Sequence, residues 1–164
     1  MICKMKNILL SLAFVLMAFS AQSQPYHLAA GFRLGYPASL SLKYLPSSKR
    51  QIEGFLGFRG FGTHSWTMAG ATYSKYAGIK SVKGLSWFAG GGASLYLWSW
   101  KVPQTGASYS TASVGLLAHA GLDYSFSDLP LNLSIDWMPV LFINGYGSGF
   151  AGGYGALSAR YVFN

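Results

Sequence analysis

In the stretch TASVGLLAHAGLDYSF, residues 111–126, two kinds of side chain alternate. Ala112, Val114, Leu116, Ala118, Ala120, Leu122, Tyr124 and Phe126 stand against Ser113, Gly115, His119, Gly121, Asp123 and Ser125. A period of two puts successive side chains on opposite faces of an extended strand. A chain written this way must give each strand two different environments, and that requirement limits the folds open to it.

The alternation recurs in eight segments punctuated by Gly, Pro, Ser and Lys, the signature of strands joined by turns. Residues 26–36 set Tyr26, Leu28, Ala30, Phe32, Leu34 and Tyr36 against His27, Gly31, Arg33 and Gly35. Residues 38–45 set Leu40, Leu42 and Tyr44 against Ser39, Ser41 and Lys43, and residues 51–60 set Ile52, Leu56 and Phe58 against Glu53, Gly57 and Arg59. In residues 65–76 the pattern is too weak to assign faces. Residues 85–100 alternate Leu85, Trp87, Ala89, Ala93, Leu95 and Leu97 with Phe88, Gly90, Gly92, Ser94, Tyr96 and Trp98. Residues 111–126 follow, then 131–140, where Leu131, Leu133, Ile135 and Trp137 oppose Asn132, Ser134 and Asp136. The last segment, 150–164, ends on ARYVFN with Leu157, Ala159, Tyr161 and Phe163 on one side and Ser158 and Arg160 on the other.

Alternation alone also suits a soluble sandwich or a lipocalin-like barrel, with one face packed and the other in water. The second face decides between them. It carries Gly, Ser and, in most strands, a single ionisable group, instead of the many Lys, Glu, Thr and Gln of a solvated face. Charged residues make up only 10% of the chain, against an average of about 25%. No run of about 20 apolar residues, as a membrane helix requires, follows residue 24. A narrow barrel filled by its own side chains accounts for the pattern, and Tyr and Trp near strand ends match the aromatic girdles of membrane barrels. The predicted fold is all-β: an eight-stranded antiparallel up-and-down transmembrane β-barrel with short turns. An even strand number puts both termini on one side, the periplasm in a bacterial barrel. Turns at 47–50, 77–84 and 127–130 then lie on that side, and loops near Pro37 and at 60–64, 101–110 and 142–149 on the other. Eight strands leave no open diffusion pore.

Residues 1–23 read as a cleaved signal peptide. Lys4 and Lys6 form the positive n-region, residues 8–19 the apolar stretch, and Ala21-Gln22-Ser23 a small-x-small site, with Ala18-Phe19-Ser20 a second. The barrel domain is then 24–164. Cys3, the one cysteine, falls within the signal, so the mature chain has no disulfide, thiol nucleophile or cysteine metal site. Losing Lys4 and Lys6 reduces the formal charge from +8 to +6. Export argues against nucleic acid as the partner of that surplus.

GFRLGY (31–36) with SLKYL (41–45), IEGFLGFR (52–59), LSWFAGGGASLYLW (85–98), GLDYSFSDLPLNLSIDWMP (121–139) and ARYVF (159–163) together cover most of the mature chain. In these segments the chain resembles the small signal-bearing outer-membrane β-barrel proteins of Bacteroidota, with the architecture of OmpA-like and OmpX-like barrels. The resemblance implies a Gram-negative cell envelope, insertion by the barrel assembly machinery, and contact with outer-membrane lipid and lipopolysaccharide. It implies no particular activity. Such chains commonly end on an aromatic residue, whereas here Asn164 follows Phe163.

The ionisable residues expected to point inward are Arg33, Lys43, Glu53, Arg59, Asp123, Asp136 and Arg160. Charges within a spanning region must pair or reach water, so these seven are expected to form an interior salt-bridge network that fixes register. Asp136 and Glu53 are candidate partners for Arg160. His119, four residues before Asp123, with Ser113 and Ser134 suggests a serine–histidine–acid set, but the compact His-x-Ser motif of barrel deacylases is absent. Three scattered histidines have no metal-ligand spacing. The glycines at 90–92 and 145–155 lack the Lys and Ser or Thr of a phosphate loop. No cofactor, metal or catalytic residue is expected. The expected role is structural, accessory or interactive, with an envelope complex as protein partner. A second reading is OmpW-like binding or transport of a small apolar ligand through room left by Gly90, Gly92 and Ser94. A third is a lipid A-modifying hydrolase.

Overall fold

A computed structural model describes residues 27–60, 63–145 and 149–163. The expected signal peptide at 1–23, the first residue of the expected first strand, Tyr26, and Asn164 lie outside the described residues. The strands are β1 (Leu28–Tyr36), β2 (Ser39–Ser47), β3 (Arg50–Arg59), β4 (His64–Gly78), β5 (Leu85–Lys101), β6 (Ser108–Ser125), β7 (Leu131–Trp137), β8 (Val140–Phe142), β9 (Gly149–Ala151) and β10 (Gly155–Phe163).

These ten strands make eight staves. Pro139 has no N–H to give to a ladder, and the seventh stave breaks there into β7 and β8, both still paired with β6. The eighth is broken at Gly152–Tyr154 into β9, paired with β8, and β10, paired with β7. Every pairing is antiparallel, neighbour to neighbour. β1 closes on β10 from Leu28↔Phe163 to Tyr36↔Gly155, and β5 closes on β6 from Leu85↔Tyr124 to Lys101↔Ser108. The result is a closed eight-stranded antiparallel barrel. Leu28 and Phe163 are direct partners, so the described chain enters and leaves at one end, the terminal end. The connections at 37–38 and 102–107, with Gly60, Thr63 and residues 143–145, lie at the other.

The faces follow the alternation. Leu34 and Leu157 are 71% and 62% exposed on the outer wall, while Arg33, beside Leu34 in sequence, and Arg160, three residues after Leu157, are each 1% exposed inside. Strand four, illegible in sequence, turns Trp66, Met68, Thr72, Ser74 and Tyr76 inward and Thr67, Ala69, Ala71, Tyr73 and Lys75 outward. Its polarity does not alternate because its inner face crosses layers of different chemistry. At the loop end the bore is filled by Phe55, Trp66, Met68, Tyr96, Leu117, Met138, Val140, Phe142 and Tyr154. At the terminal end it is filled by Ala29, Leu45, Tyr76 and Phe88. The six buried charged side chains lie between these two apolar layers.

The wall is uneven in height. β1, β2 and β3 have 9, 9 and 10 residues, whereas β4, β5 and β6 have 15, 17 and 18. Along β5 the outer face changes from Leu95 and Leu97 to Ser99 and Lys101 as it rises towards the loop end.

Candidate functional site: the interior charge network

Three ion pairs cross the bore. Lys43 on β2 reaches Asp123 on β6, on the opposite wall, at 2.5 Å. Arg33 on β1 holds Asp136 on β7 through two nitrogens, Nη2 to Oδ1 at 2.5 Å and Nε to Oδ2 at 3.3 Å. Arg160 on β10 donates from Nη2 to Glu53 Oε1 on β3. All six side chains are at most 1% exposed. Each pair joins strands that share no ladder, so the pairs brace the barrel from within.

Neutral groups satisfy what the ion pairs leave over. Arg160 also donates to Ser41 Oγ and Ser134 Oγ, each at 2.7 Å, and to Asn132 Oδ1 at 3.3 Å. Glu53 accepts from Ser41 Oγ at 2.7 Å and from Gln51 Nε2 at 2.9 Å. Asp123 accepts from Tyr76 Oη at 2.7 Å and from Asn132 Nδ2 at 2.8 Å. Asn132 therefore links the Lys43–Asp123 pair to the Arg160–Glu53 pair. The Arg33 guanidinium lies 4.5 Å from the centre of the Phe55 ring, and Lys43 Nζ 5.3 Å from that of Phe88. The polar belt is thus covered on both sides by aromatic faces, a favourable position for a cation.

Of the seven residues singled out in the sequence, six meet in this belt and Arg59 does not. It is the last residue of β3, exposed at the loop end beyond the aromatic layer, with its guanidinium 4.2 Å from the centre of the Tyr36 ring. Arg160 takes Glu53 and not Asp136. Register is the reason: Arg160 stands beside Asn132 on β7, whereas Asp136 stands beside Ala156.

His119 is 1% exposed, with its ring 4.8 Å from Phe88 and 5.5 Å from Phe55. Its Nδ1 is 3.0 Å from Thr72 Oγ1 and its Nε2 is 3.8 Å from Asp136 Oδ1. Neither serine considered with it in the sequence is its partner: Ser113 accepts from Trp98 Nε1 at 2.9 Å, and Ser134 is held by Arg160. Thr72, His119 and Asp136 stand in a row inside the belt, all buried, with His119 Nε2 beyond hydrogen-bond distance of the carboxylate. Among the described residues no group of three or more His, Cys, Asp or Glu side chains stands together to hold a metal.

Gly90 and Gly92 stand where β4 comes too close for a side chain. A Cβ at Gly92 would stand 1.9 Å from Ala71 O and one at Gly90 2.1 Å from Tyr73 O, because the backbone of β4 packs against both. Ser94 is buried and donates to Gly115 O at 3.3 Å. The small residues of β5 serve close strand approach.

Gln51, Thr72 and Tyr76 escaped the sequence reading. Gln51 has the same parity as Glu53, and that parity was enough to place it inside. Thr72 and Tyr76 lie on the strand whose faces could not be read. No known family model matches the chain, and no curated protein matches it in sequence.

Proposed function

We propose that this protein is an outer-membrane β-barrel with a structural, accessory or interaction role, inserted with both ends in the periplasm and carrying no open pore. One observation supports it above the others. The outer wall exposes Leu34, Ile135, Trp137 and Leu157 at 55 to 71% while the three ion pairs are buried in the bore. A barrel in water has the opposite arrangement, whereas a barrel in lipid needs an apolar outside and tolerates charge only inside. Tyr44, Tyr73, Trp87 and Phe163 on the outer face towards the terminal end, with Phe58, Trp137 and Phe150 towards the loop end, suit two interfacial girdles. The strands of 9 and 10 residues suit the roughly 9 to 11 residues that span a bilayer.

The filled bore supports a role exercised at the surface of the barrel. Transport would need the aromatic layer and the ion pairs to part together, and the Thr72–His119–Asp136 series reads as an internal linkage. The test is the mature chain refolded in detergent. A folded band that migrates apart from its heated form, partition into the detergent phase, and a silent planar bilayer are the expected results. A chain that remains soluble without detergent, or one that passes steady current, overturns the reading.

A further inference from the structure

The charges outside the bore are almost all of one sign. The chain has four carboxylates, and three of them, Glu53, Asp123 and Asp136, are consumed inside by Arg160, Lys43 and Arg33. The fourth, Asp128, lies in the turn between β6 and β7. Lys49, Arg50, Lys75, Lys80 and Lys83 are all exposed on two other turns and their flanks, at the terminal end. None of the five has an ion-pair partner among the described residues.

The two turns are neighbours. Lys49 O accepts from Tyr76 N at 2.9 Å, and Arg50 stands directly opposite Lys75 in the β3–β4 ladder, both on the outer face. Like charges directly opposite in an antiparallel pair destabilise it, so this pairing calls for an anion between them. Depth indicates which anion. On β4 the outward line runs Ala69, Ala71, Tyr73, Lys75, and on β3 it runs Leu56, Gly54, Ile52, Arg50. The cations thus begin where the apolar wall ends. Beyond them the β4–β5 turn carries Lys80 and Lys83 around an exposed Val82.

We propose that Lys49, Arg50, Lys75, Lys80 and Lys83 form a binding surface for the phosphate headgroups of anionic phospholipids in the leaflet at the terminal end, with Arg50 and Lys75 clamping one phosphate. The inference rests on the membrane reading above. A phosphate at that depth removes the repulsion across β3 and β4 while its acyl chains lie along the wall beside Tyr73 and Ile52. The opposite end has no comparable cluster: its described cations are Lys101 and Arg59, and Arg59 is stacked on Tyr36.

The test mixes the refolded mature barrel in neutral detergent with equal amounts of phosphatidylglycerol and phosphatidylcholine and counts the lipids retained by native mass spectrometry. Phosphatidylglycerol should be retained preferentially, and the preference should fall as salt rises. Changing all five cations to Gln should abolish it, at about fivefold per cation, while Lys101→Gln should leave it intact. Equal retention of both lipids by the wild type overturns the proposal, as does a preference that survives in the five-site variant or is lost equally in Lys101→Gln. Should the five-site variant fail to fold, Lys80→Gln with Lys83→Gln, confined to the exposed turn, must still weaken the preference. Insertion into phosphatidylcholine vesicles, followed by heat-modifiable migration, is read in parallel. Failure to insert overturns the membrane reading, whereas insertion without lipid preference overturns this inference alone.

Discussion

Asp123 shows what one residue does in this barrel. It accepts from Lys43, Tyr76 and Asn132, so its carboxylate is the counter-charge for a fully buried lysine. Removing one member of a buried pair leaves the other uncompensated and costs about 3–5 kcal/mol. Asp123→Asn should therefore lower the urea midpoint of the refolded barrel by an amount of that order, followed by tryptophan fluorescence. Arg59→Gln should shift it by less than about 0.5 kcal/mol, the usual effect of a surface change, because that guanidinium is exposed at the loop end. The parity of these residues in their strands was enough to place six of the seven sequence candidates inside. Parity says nothing about height along the bore, which is why Arg59 was counted with the other six and why Glu53 and Asp136 stood as equal candidates for Arg160, which takes Glu53.

At the scale of the strand, glycine divides into two kinds. Gly92 faces inward with the backbone of β4 against it, whereas around Gly54, on the outer face of β3, an added Cβ meets nothing within 4 Å. Gly92→Val should thus prevent closure between β4 and β5, leaving the chain at its unfolded gel position under conditions that refold the wild type. Gly54→Ala should refold normally and keep its stability to within about 0.5 kcal/mol. Strand spacing and turns were legible because β-strand alternation and Gly or Pro punctuation are local properties. β4 was not, since its inner face passes from the Trp66 and Met68 layer through the polar belt at Thr72 and Ser74 to the apolar layer at Tyr76. No two-letter pattern describes a strand that crosses three environments.

At the scale of the molecule, the barrel is closed twice over, by ladders around its circumference and by ion pairs and aromatic layers across its bore. Removing the upper layer alone should not open it: Trp66→Ala combined with Tyr96→Ala should remain silent in planar bilayers, because Arg33–Asp136 and Lys43–Asp123 still span the lumen below. The outer wall should be as intolerant of charge as the proposed lipid contact requires. Leu157→Lys, in the apolar belt, should cost about 2–4 kcal/mol in unfolding from bilayers, while Ser99→Lys, above the belt on β5, should cost almost nothing. The sequence by itself determined the strand count, the two faces of seven of the eight staves apart from Tyr36, which turns in against Trp66 and Tyr154, and the inward direction of six of the seven candidate charges, because each follows from a period of two and from turn chemistry within a few residues. The tertiary structure alone decided which charges pair, that Thr72 and not a serine meets His119, and that the polar belt lies between apolar layers. Those depend on register and on which strands face one another across the bore, and both are fixed only when β1 closes on β10.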